Sequence, residues 1–337
     1  MQNETIAILG TGAWGTANAI LLARKGLPVR LWGRRPDHVK ELASGRELSA
    51  LLPGVKIPPE VRVTGEAAEA LDGATLVAVA IPTQHIRETL EPIAQHFSEG
   101  LPIVSLAKGM ELKTLLRPTE VISQVLDSAH VASLSGPSHA EEVARGGPTS
   151  VVVASEDEGL ARRFQDAWSG PLFRVYSHSD LVGVEIGGAL KNIIALAAGV
   201  CDGLQFGDNS KAALLTRGLA EVVRFGVSSG GRRETFYGLS GMGDLIVTGA
   251  SRHSRNWGLG QMLGKGMTLE EAMKSTEKVA EGVWTTQAVH DLARKKGIEM
   301  PITSEVHRIL FESKDPAVAV QDLMGRDTRS EVEDLSP

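Results

Sequence analysis

Short apolar segments alternate with segments of helical length along the first half of the chain. Several, such as Leu76–Ile81, are apolar at every position, which is typical of strands buried on both faces. Their alternation with helices predicts a doubly wound, largely parallel sheet. The predicted strands are Thr5–Leu9, Val29–Trp32, Val61–Thr64, Leu76–Ile81, Ile103–Leu106, His130–Leu134, Ser150–Ala154 and Phe173–Tyr176, and predicted helices between them include Pro36–Ala43, Thr83–Phe97 and Asp157–Trp168.

The pattern changes after Asp180, where strand-like runs end and helical segments follow one another. Eighteen of the 37 glycines lie between Gly183 and Gly266, which indicates close backbone approaches or ligand-contacting loops. We therefore expect a Rossmann-like α/β domain over residues 1–180 and an all-α C-terminal domain over residues 181–337. The predicted helices here are Val182–Val200, Lys211–Ser228, Thr268–Met273, Trp284–Lys295 and Thr303–Phe311.

A glycine-rich turn follows the first strand. Gly10, Gly12 and Gly15 have the spacing GxGxxG and lead into a helical segment, the context of a dinucleotide-binding turn. In such a turn the glycines permit tight bending, approach of a pyrophosphate and close packing of helix on strand. The helix N-terminus adds N–H groups and partial positive charge for the phosphates. A turn that serves packing alone is the alternative.

The second strand ends in Trp32-Gly33-Arg34-Arg35, and its neighbourhood bears on which dinucleotide binds. A carboxylate about 20 residues beyond the fingerprint accepts from the ribose 2′-OH of NAD, whereas arginine accommodates a 2′-phosphate. Arg34 and Arg35 stand where the acid would be. We therefore favour NADPH, with NADH as a second ligand; two solvated surface arginines are the alternative.

The segment "VEIGGALKNIIALAAG" places Lys191 on an apolar helix whose other charge is Glu185. Gly187 and Gly188 lie one turn earlier, and their missing side chains are expected to leave space beside the amine. A desolvated lysine has a lowered pKa that suits proton transfer. The alternative is a lysine that extends to solvent along the helix surface.

The segment "GLSGMGDLIVTG" carries Asp244 among glycines, and "SRHSRNWG" follows it. Asp244 could orient an amine or a substrate hydroxyl, or simply cap a helix. A phosphate would fit the cluster of Arg252, Ser254, Arg255 and Asn256, since arginine binds phosphate with paired, charge-assisted hydrogen bonds. A basic helix start at the surface is the alternative.

Two further sets of residues follow predicted strands. Lys108 in "SLAKGM" follows one, and Gly136, Ser138 and Ala140 in "SLSGPSHAEE" follow another. Ligands of open α/β sheets bind outside the carboxyl ends of the strands. Each set alone would be an ordinary loop, but their joint placement favours a shared site.

Composition limits the classes of function. The net charge of −6 argues against a general nucleic-acid surface. The longest apolar runs, such as Ile193–Ala198, are too short for membrane insertion, and no basic segment precedes the first strand as in a signal peptide. Cys201 is the single cysteine, so no internal disulfide is expected and a cytoplasmic location fits. Nine dispersed histidines give no expectation of a metal site.

Taken together, these segments resemble the bacterial NAD(P)-dependent glycerol-3-phosphate dehydrogenases. The resemblance runs through nearly the whole chain, on "GTGAWGTA", "LWGRR", "SLAKGM", "SGPSHAEEV", "FRVYSHSDLVGVEIGGALKNIIALAAG", "TRGLAE", "GLSGMGDLIVT", "SRNW", "VAEG" and "MPIT". It implies reversible hydride transfer between NAD(P)H and dihydroxyacetone phosphate, giving sn-glycerol 3-phosphate for phospholipid synthesis. It also implies a homodimer.

The resemblance assigns roles to residues of this chain. It makes Lys191 the proton donor and acceptor. It places substrate contacts on Lys108, Gly136, Ser138, Lys191, Asp244, Ser254, Arg255 and Asn256. It places cofactor contacts on Ala13 and Trp14 beside Gly10, Gly12 and Gly15, and on Arg34, Arg35, Lys108, Ala140, Arg255, Val279 and Glu281.

Two other functions remain open at the level of sequence. A related dehydrogenase of hydroxy acids or sugar acids would carry the same lysine but bind a carboxylate. A non-catalytic dinucleotide sensor would bind the cofactor without turnover, and it gives no reason for Lys191, Asp244 and Arg255 to occur together.

Overall fold

The sheet of the N-terminal half has eight strands among the residues that the computed structural model describes, which are 4–128, 130–275, 280–328 and 330–331. Their order is β3-β2-β1-β4-β5-β6-β7-β8. The strands are β1 (Ile6–Leu9), β2 (Val29–Trp32), β3 (Val61–Thr64), β4 (Leu76–Val79), β5 (Ile103–Ser105), β6 (Val131–Ser135), β7 (Thr149–Ala154) and β8 (Phe173–His178). All neighbours are parallel except β6 and β7, so the prediction of a largely parallel sheet is confirmed.

Within the part of the chain that the structure describes, seven α-helices accompany the sheet. They are α1 (Ala13–Arg24), α2 (Pro36–Gly45), α3 (Ala67–Leu71), α4 (Ile86–Leu90), α5 (Pro118–Leu126), α6 (Ala140–Arg145) and α7 (Glu158–Trp168). The single helix predicted over Thr83–Phe97 is wrong. The structure divides this segment into a 3₁₀ turn, Thr83–His85, then α4, and then a second 3₁₀ segment, Glu91–His96. Pro92 lies at the start of that last segment, where proline removes a backbone donor and disfavours continuation of α4.

Within its described residues, the regular elements of the second half are helices, as predicted. Its helices are α8 (Leu181–Gly203), α9 (Asp208–Ser228), α10 (Asp244–Ala250), α11 (Arg255–Gly264), α12 (Leu269–Lys274), α13 (Glu281–Lys296), α14 (Pro301–Phe311) and α15 (Pro316–Met324). A 3₁₀ segment, Arg233–Tyr237, and one wide turn of π type, Leu239–Gly243, precede α10.

Helix α8 is long and apolar enough to span a membrane by length and composition. However, 94% of its most apolar stretch is buried inside the protein. A helix that is apolar on all sides is expected at the centre of a helical core. The sequence predicted this helix as Val182–Val200, but the apolar runs weighed for membrane insertion, such as Ile193–Ala198, were much shorter.

The chain forms two compact units. One contains Met1–Ala107 and Pro118–Leu181, and the other contains Lys108–Arg117 and Val182–Pro337. The ten residues Lys108–Arg117 therefore belong to the helical unit, although they lie between β5 and α5 in the chain. Met110 is buried in the helical core, and Arg117 donates to Glu185 of α8 at 2.7 Å. The predicted domains, residues 1–180 and 181–337, instead place this segment in the N-terminal domain.

Helices α8 and α11 approach each other at the level of the backbone. A methyl group added at Gly199 would lie 2.0 Å from the carbonyl oxygen of Trp257. One added at Gly260 would lie 2.0 Å from the carbonyl oxygen of Leu196. Both distances are far below van der Waals contact, so only glycine permits this packing. The abundance of glycine after residue 183 thus has a structural cause.

Candidate active site

The glycine turn after β1 is shaped partly by the protein's own packing. Gly10 has φ +124°, and a methyl group there would lie 2.5 Å from the carbonyl oxygen of Ala80, which follows β4. A methyl group at Gly15 would lie 1.9 Å from the carbonyl oxygen of Gly10. These two glycines are therefore required by the turn and by close packing of α1, whether or not a ligand binds.

Gly12 differs from the other two glycines. A methyl group added there would meet nothing within 4 Å, so packing gives no reason for glycine. Gly12 immediately precedes α1, whose first N–H groups, at Ala13 and Trp14, have no acceptor within the helix. Open backbone in front of a helix N-terminus is a suitable site for a pyrophosphate. The turn also lies between β1 and β4, where the strand order reverses and open α/β sheets bind ligands. The residues present therefore fit a dinucleotide.

The two arginines beyond β2 are exposed. Arg34 donates through Nη1 to Oε1 of Glu88 at 3.2 Å, and Arg35 immediately precedes α2. This exposure is compatible with the alternative interpretation, in which both arginines are simply solvated surface residues. Both follow the carboxyl end of β2, beside the end of β1 that leads into the glycine turn.

Gly136, Ser138 and Ala140 follow the carboxyl end of β6. Gly136 has φ +132°, and a methyl group there would lie 3.0 Å from Cα of Val151. The Ser138 hydroxyl donates to the Gly136 carbonyl at 2.9 Å, and Ala140 begins α6. Because β1, β2, β4, β5 and β6 are parallel, these residues share the sheet edge of the glycine turn.

The helical unit brings together three charged residues that the sequence singled out. Lys191 Nζ lies 3.0 Å from Oδ1 of Asp244, and Lys108 Nζ lies 2.6 Å from Oδ2 of the same carboxylate. Lys191 is 8% exposed and Asp244 is 1% exposed. The alternative in which Lys191 extends to solvent is therefore wrong. The Asp244 carboxylate pairs with the lysines and makes no capping hydrogen bond, so the capping alternative is wrong as well.

Thr248 completes this cluster and was missed in the sequence analysis. Lys191 Nζ donates to Thr248 Oγ1 at 2.7 Å, and that hydroxyl donates to the carbonyl oxygen of Asp244 at 2.6 Å. Thr248 lies four residues after Asp244 in "GDLIVTG", so the two face the same side of α10. That spacing was the available signal.

The Lys191 ammonium is poised to lose a proton. Burial lowers its pKa to about 8, the charges of Lys108 and Arg255 act in the same direction, and Asp244 opposes them. For Asp244, burial acts to raise the pKa of the carboxyl, but Lys108 and Lys191 more than offset it and the pKa is lowered. The cluster thus holds an ionised carboxylate beside an amine with a pKa close to neutral pH, a pattern typical of catalytic sites.

The wide turn Leu239–Gly243 leads directly into Asp244. A methyl group at Gly187 of α8 would lie 3.1 Å from the carbonyl oxygen of Ser240 and 3.3 Å from Cα of Gly241. The expectation that Gly187 leaves empty space beside the amine is therefore wrong at this position. The space is filled by the turn that presents Asp244 to Lys191. Such wide turns occur frequently at functional sites.

Ser254, Arg255 and Asn256 lie at the start of α11. Ser254 caps the helix by accepting from the Trp257 N–H at 3.1 Å, and Arg255 is exposed. The alternative, a basic helix start at the surface, thus agrees with the exposure of Arg255. It does not agree with Ser254 and Asn256, which are buried. Asn256 donates to Asn192 Oδ1 at 2.9 Å. Asn192 follows Lys191 and lies 3.5 Å from the carbonyl oxygen of Lys108, which joins the cluster to α11.

The "VAEG" segment is described in part. Val279 lies outside the described residues. Glu281 begins α13, and the N–H of the next residue, Gly282, donates to Asn256 Oδ1 at 2.9 Å. Glu281 therefore lies beside the end of α11 that carries Arg255 and Asn256.

A doubly wound sheet with a dinucleotide turn, followed by a helical unit with a buried lysine–carboxylate pair, defines a nicotinamide-dependent dehydrogenase. Two family models specify the class further. Residues 5–161 match the N-terminus of NAD-dependent glycerol-3-phosphate dehydrogenase, and residues 180–321 match its C-terminus. The chain belongs to this family, and it is an oxidoreductase.

Individual relatives agree with the family models. The glycerol-3-phosphate dehydrogenase [NAD(P)+] of Chlorobium limicola is 49% identical over 330 residues, which cover 97% of this chain and 99% of the relative. That of Geobacillus kaustophilus is 48% identical over 336 residues, covering 99% and 98%. The crystal structure of glycerol-3-phosphate dehydrogenase from Coxiella burnetii has a TM-score of 0.92 at 40% identity, over 96% of this chain and 99% of that one.

Proposed function

We propose that this chain reduces dihydroxyacetone phosphate reversibly to sn-glycerol 3-phosphate with NADPH or NADH, and that Lys191 carries the proton. The observation that supports the role of Lys191 is its burial against Asp244 and Thr248, with a pKa of about 8. When bound, the nicotinamide supplies or accepts the hydride.

Lys191 has one donor to offer a substrate. An ammonium has three N–H donors, and within the described part of the chain two of them point to Asp244 and Thr248. The third can donate to the carbonyl oxygen of the substrate. As negative charge develops on that oxygen during reduction, the ammonium stabilises it and then transfers the proton, leaving a neutral amine. Oxidation of the alcohol runs the same transfer in reverse.

Asp244 and Thr248 orient the amine through this transfer. The Thr248 hydroxyl donates to the Asp244 carbonyl, so its lone pair faces Lys191 and fixes one N–H. Asp244 holds a second N–H and compensates the charge of both lysines. Lys108 adds a positive charge that favours release of the Lys191 proton and also attracts an anionic substrate.

Arg255, Ser254 and Asn256 are proposed as the phosphate anchor. Exposed Arg255 can turn its planar guanidinium toward a phosphate, while Ser254 and Asn256 lie on the same helix start. Anchoring a remote phosphate lets binding energy orient the reacting carbonyl. Gly136 and Ser138 are proposed as further substrate contacts. The cofactor is proposed to contact Gly10, Gly12, Ala13, Trp14, Gly15, Arg34, Arg35, Lys108, Ala140, Arg255, Val279 and Glu281.

The decisive experiment follows NADPH absorbance with dihydroxyacetone phosphate and then with unphosphorylated dihydroxyacetone. We expect turnover with the phosphorylated ketone and a much lower kcat/KM without the phosphate. Arg255→Ala should raise KM for dihydroxyacetone phosphate with a smaller change in kcat. An unchanged KM would remove Arg255 from the anchor. Efficient turnover of a hydroxy acid, or no turnover at all, would favour one of the two other functions.

We further propose that the protein is cytoplasmic and, as the resemblance implies, forms a homodimer that supplies glycerol 3-phosphate to phospholipid synthesis. A chain with one cysteine, itself buried, is compatible with a reducing compartment. Light scattering on the purified protein tests the oligomeric state. Measuring labelled glycerophospholipids after depletion of the enzyme tests the physiological role.

A further inference from the structure

An exposed ion pair joins the end of β2 to α4. Arg34 Nη1 lies 3.2 Å from Glu88 Oε1, and His85 Nδ1 lies 2.9 Å from the same oxygen. The Arg34 side chain is 56% exposed and the Glu88 side chain 55% exposed. Exposed ion pairs of this kind contribute little to stability, so a ligand can readily displace them.

The position of the pair in the sheet is informative. Arg34 follows β2, α4 follows β4, and β1 lies between these strands. Arg34 and Glu88 therefore meet across the carboxyl end of β1, where the glycine turn begins. A methyl group at Gly33 would lie 2.8 Å from Cγ2 of Thr11, so the residue before Arg34 packs directly against that turn.

We propose that Glu88 is a specificity-determining residue that opposes the 2′-phosphate of NADPH and accepts a hydrogen bond from the 2′-hydroxyl of NADH. This inference rests on the proposed cofactor role of Arg34. To pair with the Arg34 guanidinium, a 2′-phosphate must displace the Glu88 carboxylate. The phosphate then lies near the negative charge of Glu88, which disfavours its binding. A 2′-hydroxyl has no such conflict, since it can donate to a carboxylate.

Helix α4 thus supplies the acid that is absent after β2. In NAD-preferring sites that acid follows the second strand, whereas here Arg34 and Arg35 occupy its place. Hydrogen bonds from His85 and Arg34 lower the pKa of Glu88, so its carboxyl is ionised at neutral pH. One arginine and one acid side by side account for a site that accepts both dinucleotides.

The test compares Glu88→Gln with the unchanged enzyme in direct binding. Dissociation constants for NADPH and NADH are measured by the fluorescence of the reduced nicotinamide, and kcat/KM is measured for both. We expect Glu88→Gln to bind NADPH more tightly and NADH less tightly, changing the ratio of the constants by about tenfold at low salt and less at high salt. Equal changes for both cofactors, or none, would overturn the proposal.

Glu91→Gln is the matched control. Glu91 is an exposed acid three residues further along, and the same substitution changes the net charge equally. If Glu91→Gln shifted the ratio as much as Glu88→Gln, bulk charge would explain the effect and the specific role would be refuted.

Arg34→Ala separates failure of this inference from failure of the proposed cofactor role. If Arg34→Ala leaves the dissociation constants for both NADPH and NADH unchanged, Arg34 is not a cofactor residue and both proposals fail. If it weakens NADPH binding selectively while Glu88→Gln has no selective effect, the role of Arg34 stands and that of Glu88 is refuted.

Discussion

The ammonium of Lys191 lies 3.0 Å from the carboxylate of Asp244, with both side chains almost completely removed from solvent. Removing one partner of a buried pair leaves an uncompensated charge, so the two groups depend on each other. Here the amine is additionally destabilised as a cation by burial and by Lys108. The pair therefore combines a fixed position with ready exchange of a proton.

Replacement of Lys191 should remove most of the catalysis. Lys191→Met keeps the length of the side chain but supplies no proton, and we expect kcat to fall by about 10²-fold or more, the usual range for an acid–base group. Steady-state kinetics with dihydroxyacetone phosphate measure this. Lys274→Met, at an exposed position of α12, serves as the control and should retain activity. A Lys191→Met enzyme with unchanged kcat would exclude the proposed proton transfer.

The two directions of the reaction should depend on pH in opposite senses. In the proposed proton transfer, reduction needs the Lys191 ammonium, so its rate should fall as the pH rises through about 8, the pKa of this group. Oxidation needs the neutral amine, so its rate should rise through the same range. Profiles of kcat/KM in both directions, each at saturating cofactor, provide the measurement. Parallel profiles in the two directions would contradict the assignment.

Substitutions at Asp244 and Lys108 should move the pKa of Lys191 in opposite directions. Asp244 raises this pKa and Lys108 lowers it. Asp244→Asn should therefore shift the alkaline limb of the reduction profile to lower pH, and Lys108→Met should shift it to higher pH, even though both variants lose activity. Shifts of the same sign would show that the limb belongs to another group.

Buried Glu221 should make stability depend on pH. Its carboxylate accepts from the N–H groups of Ile302 and Thr303 at the start of α14, and burial raises its pKa from 4.5 to about 7. A raised pKa contributes stability that is fully present below pH 4.5 and is lost as the pH rises through about 7.

Glu221→Gln carries no such charge, so its deficit in unfolding free energy relative to the unchanged protein should shrink between about pH 5 and 8. Urea titrations at several pH values measure the difference. Glu60→Gln, at an exposed position, should show no comparable trend. A deficit that stays constant with pH would refute the raised pKa.

Two glycines of α11 should respond oppositely to alanine. Gly260→Ala places a methyl group against the Leu196 carbonyl and should destabilise the protein by about 1–3 kcal/mol, the usual cost of overpacking. A methyl group at Gly258 meets nothing within 4 Å, so Gly258→Ala should stabilise by about 0.5–1 kcal/mol through helix propensity. Thermal and urea unfolding of both variants are the measurement. Equal effects would mean that α8 and α11 are not in backbone contact.

Much of the fold could be predicted from the sequence because β-branched and apolar runs mark buried strands. The bounds predicted for β2 and β3 agree with the structure, and the helical second half was also predicted. The break in the segment after Thr83 was missed because the prediction rested on the segment's length and composition and did not weigh Pro92 in its interior. The placement of Lys108–Arg117 was missed because it depends on burial of Met110 and on the pairing of Arg117 with Glu185.

Within the site, the sequence indicated the charged residues but not their supports. Lys191 and Asp244 were recognisable because charged residues are uncommon in such apolar, glycine-rich surroundings. Asn192 was overlooked because an asparagine in a helix gives no signal until its partner is known. For Thr248 the four-residue spacing from Asp244 was the available signal, but it has meaning only once Asp244 is known to pair with Lys191. Their contacts join residues 57, 64 and 84 positions apart in the chain, which local patterns do not reveal.

The assignment of Lys108–Arg117 to the helical unit limits how the two halves of this enzyme can be exchanged with those of other dehydrogenases. A fragment that starts at Val182 would lack three residues of the helical unit. These are Lys108 of the charged cluster, Met110 of the core and Arg117, which pairs with Glu185. A functional chimera must therefore transplant these ten residues together with the C-terminal region, although the gene encodes them within the N-terminal half.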